Sequence, residues 1–526
     1  MNRAYDTIVV GGGMAGLTSA AYLCRAKVDT LIVEKGEKLG GLVNTFQHQG
    51  FAFDAGIRAF ENSGILFPML KSLGIDMKFV KNPVSIGMEK LWVNLDTRDS
   101  LKSYVSMLTA LFPENANDIA HIAEEINKTM GYMDVLYGID NPLFLENLHD
   151  IGYLTKTLLP WLLRYQVNIR KAARLNEPIY TYLKRFTSND ALIDLIAQHF
   201  FKNTPTFFAL SYFGLYLDYC YPMGGTGILV DKVADCIRNA GGEILTGTAA
   251  TQIDSQKHEV VFSDGRTLTY KKLIWAADQK TLYAITKGAA TPKTESQRLL
   301  AEQSTGGDSV LTFFMGVNLN KDYFSGRCGV HAFYTPSIQG LAALPDWKEA
   351  AKGGNGVLLD WVASYLDRTT YEISCPALCD PSLAPDGKTG IIVSTLMDYG
   401  LVRLFSDSIE YESFKRQCIN KVTDVLEAFL FPDMRDNILF TLCATPLTIE
   451  RETGNAQGAI TGWAFTNVKM PAENRFKKIA RSIKTPIEDI VQCGQWTFSP
   501  SGLPVSILTG KLAADAVCKT LKGKAL

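Results

Sequence analysis

Residues 6–34 read DTIVVGGGMAGLTSAAYLCRAKVDTLIVE, and the reading of this stretch decides the fold. Residues 7–10 form a short run rich in β-branched side chains, which suits a strand buried on both faces. Gly11, Gly13 and Gly16 follow at G-x-G-x-x-G spacing, directly before the helix-forming residues 17–25. A second apolar strand at 30–33 ends in Glu34. Gly11 permits the tight turn, Gly13 lets the backbone approach a pyrophosphate, and Gly16 lets helix and sheet pack closely. The helix start offers unpaired N–H groups and a partial positive charge to phosphates. Glu34 can accept hydrogen bonds from a ribose hydroxyl. A glycine triplet alone marks only a turn; strand, turn, helix, strand and acid in this order mark a dinucleotide site.

The chain continues EKGEKLGGLVNTFQHQGFAFDAGIRAF from Glu34 to Phe60, with a second close-approach turn at Gly40-Gly41 and a third loop at Asp54 to Gly56. Here the sequence resembles the FAD-dependent phytoene desaturase, carotenoid isomerase and retinol saturase superfamily, whose wider circle includes amine oxidases. The resemblance resumes at YPMGGTGILVDKVADCIRNAGGEI (221–244) and WAAD (275–278). It returns at ATPLTIER (444–451) and CGQWTFSPSGLPVSILTGKLAADAV (493–517), so the family's blocks span almost the whole chain in order.

The resemblance implies non-covalent FAD rather than NAD, held first by Gly11, Gly13, Met14, Ala15, Gly16, Glu34 and Lys35. Gly40, Gly41 and Gly56 extend that set, and Ala250 takes the adenine-facing position where the family more often has valine. Gly494, Gln495, Gly502, Leu503 and Pro504 are expected to close over the ribityl chain and flavin ring. At Gly494-Gln495 the family often has Gly-Asp, so an amide replaces a carboxylate. The implied fold is α/β: a Rossmann-type FAD-binding domain with a parallel sheet, intertwined with an α+β substrate domain built on an antiparallel sheet and helices. The flavin domain is expected at residues 1–75, 221–290 and 485–526, and the substrate domain at 76–220 and 291–484.

The chain has 526 residues, beyond one ordinary core, and its hydrophobic content of 47% with mean hydropathy near zero marks a filled, folded protein. A net charge of −1 gives no support for nucleic-acid binding. Ten cysteines without a dense framework read as reduced thiols in a cytoplasmic protein, and no spacing suggests a metal site; Cys375 and Cys379 lack zinc-site partners. The first strand begins within a few residues of the start, leaving no room for a signal peptide, and no window reaches the ~20 apolar residues of a spanning helix.

Between the blocks, residues 65–73 read as a short helix, 79–93 as strand-rich and 103–137 as helical, with a helix entry at Pro113. Residues 151–176 carry Lys156, Arg164, Arg170, Lys171 and Arg174 with no acid, mixed with leucines and Trp161. Two readings stand: a helix packed on its own core with arginines outward, or a helix lying in a membrane interface, making the protein peripheral on the inner face. Residues 179–201 read as helical. The aromatic run 207–219 then offers Phe208, Tyr212, Phe213 and Tyr216 as the lining of a tunnel for a long apolar ligand, or as plain core. Residues 243–253, 259–262 and 267–270 read as strands with a hairpin at Asp264-Gly265, as do 310–317, 356–363 and 390–397; 411–429 and 505–521 read as helices.

The leading functional expectation is an FAD-dependent oxidoreductase that desaturates, saturates or isomerises carbon–carbon double bonds in a long hydrophobic substrate, a carotenoid, retinoid, isoprenoid or unsaturated fatty acid. Flavin carries such chemistry, and no catalytic triad or carboxylate pair is evident. Arg58, beside the D-x-G turn, is the first polar residue to test near the ring. The six histidines are scattered and read as structural. With one fingerprint only, a diffusible electron partner is expected: a quinone, oxygen or a nicotinamide. Amine oxidation on the same architecture is the alternative enzyme reading. A lipid-escort protein, as in the Rab GDP-dissociation inhibitors, is the non-enzyme one; the intact fingerprint argues against it.

Overall fold

Thr7, Ile8, Val9 and Val10 are all buried, and the strand that contains them, Ala4–Val10, lies inside an eight-stranded sheet. A computed structural model describes residues 3–145, 151–197 and 200–523. Ala4–Val10 pairs in parallel with Thr30–Val33 on one side and with Thr267–Trp275 on the other. Glu243–Leu245 extends the first side in parallel. On the other side the end of Thr267–Trp275 pairs in parallel with Ile490–Gln492, and its beginning pairs antiparallel with Glu259–Phe262. Ala250–Asp254 and Thr286–Lys287 complete that edge. Helices Met14–Arg25, Ile228–Asn239 and Leu503–Lys522 share one apolar core against this sheet.

The single strand expected at 243–253 is two strands at opposite ends of the sheet. Gly247 turns the chain between them at φ +65°, a conformation that a side chain disfavours.

The second sheet has seven strands in the order Ile438–Ala444, Ser309–Val317, Thr389–Met397, Tyr371–Ser374, His331–Thr335, Val84–Met88 and Leu91–Leu95. All pairings are antiparallel except that of His331–Thr335 with Val84–Met88. Alternation gives it two faces. Leu311, Phe313 and Met315 share one core with helices Asn355–Leu366 and Ser408–Phe429. The opposite face carries a cross-strand row from Thr312 through Ser394 and Glu372 to Phe333. The two sheets, with helices against each, define a mixed α/β molecule.

Two elements differ from their sequence reading. Residues 356–363 belong to helix Asn355–Leu366, not to a strand: Leu358, Val362 and Leu366 recur every four residues and are the buried positions. Residues 103–137 are two helices, Ser100–Leu111 and Ala116–Leu136, parted at Pro113. Of the stretch expected to be helical at 179–201, residues 198 and 199 lie outside the described residues; the rest holds Ile179–Leu183 and Asp190–Ala197.

Candidate active site

The turn between the first strand and first helix opens onto a cavity of about 730 Å³. Gly11 takes φ +111°, and a Cβ there would lie 2.7 Å from the Ala276 carbonyl oxygen. A Cβ on Gly16 would lie 1.9 Å from the carbonyl oxygen of Gly11, so only glycine lets the helix sit this close to the turn. Gly13 differs: a Cβ there meets no protein atom within 4 Å and would project into open space. Helix Met14–Arg25 has no capping side chain and no acid in its first turn, which leaves its first N–H groups available to an anion. At the end of the second strand, Glu34 accepts from Gly12 N–H at 2.7 Å and Gly36 N–H at 2.8 Å, one bond per oxygen. A carboxylate has about four acceptor positions, so it keeps capacity for ribose hydroxyls. These features fit a dinucleotide.

Gly11, Gly13, Met14, Ala15, Glu34, Gly40 and Gly41 line the cavity. From the far end of the chain, Gly494, Gln495, Gly502 and Leu503 line it too. Other expected residues lie outside it. Gly16 serves helix packing. Lys35 turns outward and donates to the Arg451 carbonyl at 3.2 Å. Gly56 lets its loop lie on Leu42, whose carbonyl oxygen would be 1.9 Å from a Cβ, while its neighbours Ala55 and Ile57 face the cavity. Ala250 is paired in a strand; the contact with Glu34 falls two residues earlier, where Thr248 N–H donates to the Glu34 carbonyl at 3.0 Å. Pro504 sits in the first helical turn between the lining residues Leu503 and Ser506.

Asp54 is a structural clamp. Its carboxylate accepts from the Thr45 hydroxyl at 2.7 Å, Tyr221 hydroxyl at 2.6 Å, Thr226 N–H at 2.8 Å and Thr226 hydroxyl at 2.9 Å.

Next in sequence to lining residues of the cavity stands a second cluster of chemistry-bearing side chains. Ile57 lines the cavity, and the next residue, Arg58, is buried. Its guanidinium donates to the Asp54 and Gly56 carbonyls at 2.6 and 3.0 Å and to the Ser394 hydroxyl at 2.7 Å. Ser394 pairs across the sheet with Glu372, whose carboxylate is 3.1 Å from His331 Nε2. Burial alone would raise the Glu372 pKa, but His331 beside it, helped by Arg58, holds it below the ordinary value. Arg58 Nε, Asn82 Oδ1 and His331 Nδ1 are buried without a hydrogen-bond partner among the described residues.

Glu61, three residues after Arg58, is half-buried, and desolvation pushes its carboxyl up to about 7. The only hydrogen bond to that carboxyl among the described residues comes from its own backbone N–H. Tyr137, Tyr212 and Tyr219 lie within electrostatic reach of it, and Tyr212, Tyr216 and Tyr219 also within reach of Glu372.

Helix Thr206–Tyr216 carries the aromatic run. Phe208 and Tyr212 are half-buried, with rings 5.0 Å apart, whereas Phe213 and Tyr216 are buried; Phe213 packs on Tyr104 in the helical core. The Tyr216 ring also lies against Phe333 of the second sheet, tilted, with centroids 5.0 Å apart. Gly214 faces Met130 of helix Ala116–Leu136, so it is a packing position and not a point on a tunnel wall. Sequence reasoning missed Glu61 and Glu372. Its one available signal was a glutamate three residues after Arg58; Glu372 reaches the site only through sheet register.

Fold and cradle together define a flavoprotein of the two-sheet, dinucleotide-binding class. Residues 14–322, more than half of the chain, match the family described as flavin containing amine oxidoreductase, and the chain belongs to that family. It is 24% identical over 539 residues to prolycopene isomerase of Arabidopsis thaliana, covering 98% of this chain and 82% of that one. It is 20% identical over 540 residues to the lycopene-forming phytoene desaturase of Pseudescherichia vulneris, covering 98% and 99%. A solved oxidoreductase from Methanosarcina mazei superposes with TM-score 0.61 over 96% of this chain and 98% of that one, at 14% identity. The resemblance to the carotenoid desaturase and isomerase superfamily thus extends over nearly the full chain.

Proposed function

We propose that the protein is an enzyme with non-covalent FAD that desaturates, saturates or isomerises carbon–carbon double bonds in a long hydrophobic substrate. The observation that carries this reading is the continuity of the two clusters: Ile57 and Phe314 line the dinucleotide cradle, while Arg58 beside Ile57 and Thr312 on the strand of Phe314 both hydrogen-bond Ser394 in the buried polar cluster. The full-length similarity to an isomerase and a desaturase of carotenoids supports the substrate class. Bound flavin supplies hydride and electron transfer. The chain's own residues would hold it: the Gly13 turn would take the pyrophosphate and Glu34 the ribose, while Phe46, Phe314 and Leu442 give the cavity an apolar lining. Cys443 lines the cradle, but burial pushes its thiol up to about 12, leaving little thiolate to attack a cofactor.

The substrate enters from a lipid surface in this proposal. No helix among the described residues is long and apolar enough to cross a membrane. In helix Leu159–Ala172 only Ile169 and Ala172 are buried, so packing on its own core does not account for its leucines. Leu163 is 66% exposed, Leu159 56% and Val167 52%, beside Arg164, Arg170 and Lys171. An apolar face ringed by cations with no acid fits an anionic bilayer surface. A diffusible quinone, oxygen or nicotinamide exchanges electrons with the flavin.

The test is anaerobic incubation of the purified yellow protein with polyenes, retinoids and unsaturated fatty acids, followed by mass spectrometry of the products. Loss of two hydrogens, gain of two, or unchanged mass with altered double-bond geometry distinguishes the three reactions. Turnover of amines with peroxide release, and of no unsaturated lipid, overturns the proposal in favour of amine oxidation. A protein that cannot be loaded with FAD overturns it in favour of an escort role.

A further inference from the structure

Glu372 sits on the middle strand of the seven-stranded sheet, a place where glutamate is rare unless it is paired. Its strand neighbours Tyr371 and Ile373 join the helix-covered core, so alternation turns Glu372 to the opposite face. There it keeps 33% of its side-chain surface open, although Ser394 and His331 beside it are buried. An open carboxylate at the centre of a sheet means that space lies over this face. The cross-strand row through Glu372 shows where that space leads. It runs from Ala444, in the wall of the dinucleotide cavity, through Thr312, Ser394, Glu372 and Phe333 to Ile86. Ile86 lines a second, apolar cavity of about 40 Å³, together with Tyr212 and Tyr216. Glu372 thus stands between the two cavities. Beside it four rings close a loop, with centroids 5.0 Å apart for Tyr216 and Phe333, 5.4 Å for Phe333 and His331, 5.7 Å for His331 and Tyr219, and 5.5 Å for Tyr219 and Tyr216. His331 Nε2 stands 3.1 Å from the Glu372 carboxylate.

We propose that Glu372 is the base that takes a proton from the substrate as hydride leaves it, with His331 positioning the carboxylate. The inference rests on the function proposed above and assigns its direction: hydrogen leaves the substrate. One C–H bond gives up its electron pair as hydride to the bound flavin. A second C–H bond, on a carbon that shares the resulting positive charge, then breaks. Its electron pair becomes the new double bond, and its proton passes to Glu372. Along a conjugated chain the charge is shared over several carbons, so the proton can leave some way from the carbon that faces the flavin. This suits the sheet, whose spacing puts the strand of Glu372 about 10 Å from that of Phe314 in the cradle wall. The carboxylate and the faces of the surrounding rings both favour positive charge on the chain. The groups that face Glu372 are His331 on the adjacent strand, Arg58 from the loop after strand Phe51–Asp54, Tyr212 and Tyr216 on helix Thr206–Tyr216, and Tyr219. Burial alone would raise the Glu372 pKa; His331 and then Arg58 overcome it and keep the carboxylate ready to accept a proton. Burial keeps the three tyrosines neutral.

The test uses the FAD-loaded full chain, mixed anaerobically with C20 and C40 isoprenoid polyenes in detergent micelles. Flavin bleaching gives the rate of reduction, and the shift in flavin absorbance on titration gives affinity separately. Glu372→Gln should slow reduction by about a hundred-fold or more, the usual loss of a general base, with affinity and flavin content unchanged. Glu372→Asp, which keeps a shorter carboxylate, should recover part of the rate. Wild-type reduction should be flat from about pH 5 to 8, above the 4.5 of an ordinary glutamate. His331→Gln removes the nearest cation, so burial wins and an acid limb should appear within that range, whatever happens to the plateau. A purely structural role of His331 would lower the rate equally at every pH. The profile also decides the matter if Glu372→Gln loads flavin poorly. Reduction of Glu372→Gln at a rate close to wild type, or a flat profile for His331→Gln, overturns this inference and leaves the polyene reading intact. So does a wild type that saturates or isomerises the polyenes without its flavin becoming reduced. Failure of both polyenes to bind overturns both.

Discussion

Glu61 keeps its proton where an exposed glutamate has lost it, and this has a stability cost with a defined sign. Its pKa rises from 4.5 in the unfolded chain to about 7 in the fold. Below pH 4.5 both states are protonated and the group is neutral to stability. As pH rises further the unfolded state ionises first, so the fold is penalised, fully so above pH 7, by about 3 kcal/mol. Glu61→Gln should therefore raise the melting temperature at pH 8 and change it little at pH 5; thermal unfolding at the two pH values checks this, and an equal effect at both would mean that Glu61 is ionised. The glycines make a second residue-scale pair. Gly13→Val should abolish flavin retention with the far-ultraviolet circular dichroism unchanged, since its side chain would fill only the cradle. Gly16→Val should instead unfold the protein, because a Cβ meets the Gly11 carbonyl at 1.9 Å. These glycines were legible because their geometry is local: turn, helix start and following strand lie within thirty residues. Glu372 was not, because it comes near Arg58 only through the register of Ser394, Glu372 and Phe333 across the second sheet, and Glu61 was not, because its burial comes from elements distant in sequence.

Elements that the sequence describes well have one apolar face; those with two are ambiguous. Residues 356–363 read VLLDWVA after the glycine, β-branched and aromatic enough for a strand, but the buried spacing of Leu358, Val362 and Leu366 is helical. In helix Leu159–Ala172 the outward leucines were legible as composition, whereas their exposure needed the partner helix Ala116–Leu136, which covers only part of its surface. Charge reversal at Arg170, Lys171 and Arg174 should weaken flotation with anionic vesicles by about 1 kcal/mol or more per residue that reaches the surface, and leave neutral-vesicle binding nearly unchanged. Identical flotation of wild type and variant would assign the helix to another role. Asp54 belongs to this scale as well, since it ties strand Phe51–Asp54 to Thr45, Tyr221 and Thr226. Asp54→Ala leaves those buried donors unmatched and should cost at least about 3 kcal/mol in denaturant unfolding.

Across the whole molecule the cradle draws on residues 11–57, 276–277, 442–460 and 494–506, so one ligand bridges segments from both ends of the chain. Stripping the flavin should lower the melting temperature of the entire protein in one cooperative step, and adding it back at a hundred times its Kd should restore about 2.7 kcal/mol. A local change confined to one sheet would contradict this. The same interleaving has a consequence during synthesis. Strand Ala4–Val10 emerges first, but one of its two parallel partners is Thr267–Trp275, and that strand in turn waits for Ile490–Gln492. At 5–20 residues per second the ribosome takes roughly 13–50 s to reach the first of these partners. Throughout that interval an apolar β-branched strand has an unpaired edge, so the nascent chain needs a chaperone to cover it, and its yield in a cell should follow chaperone supply more closely than the final fold's stability.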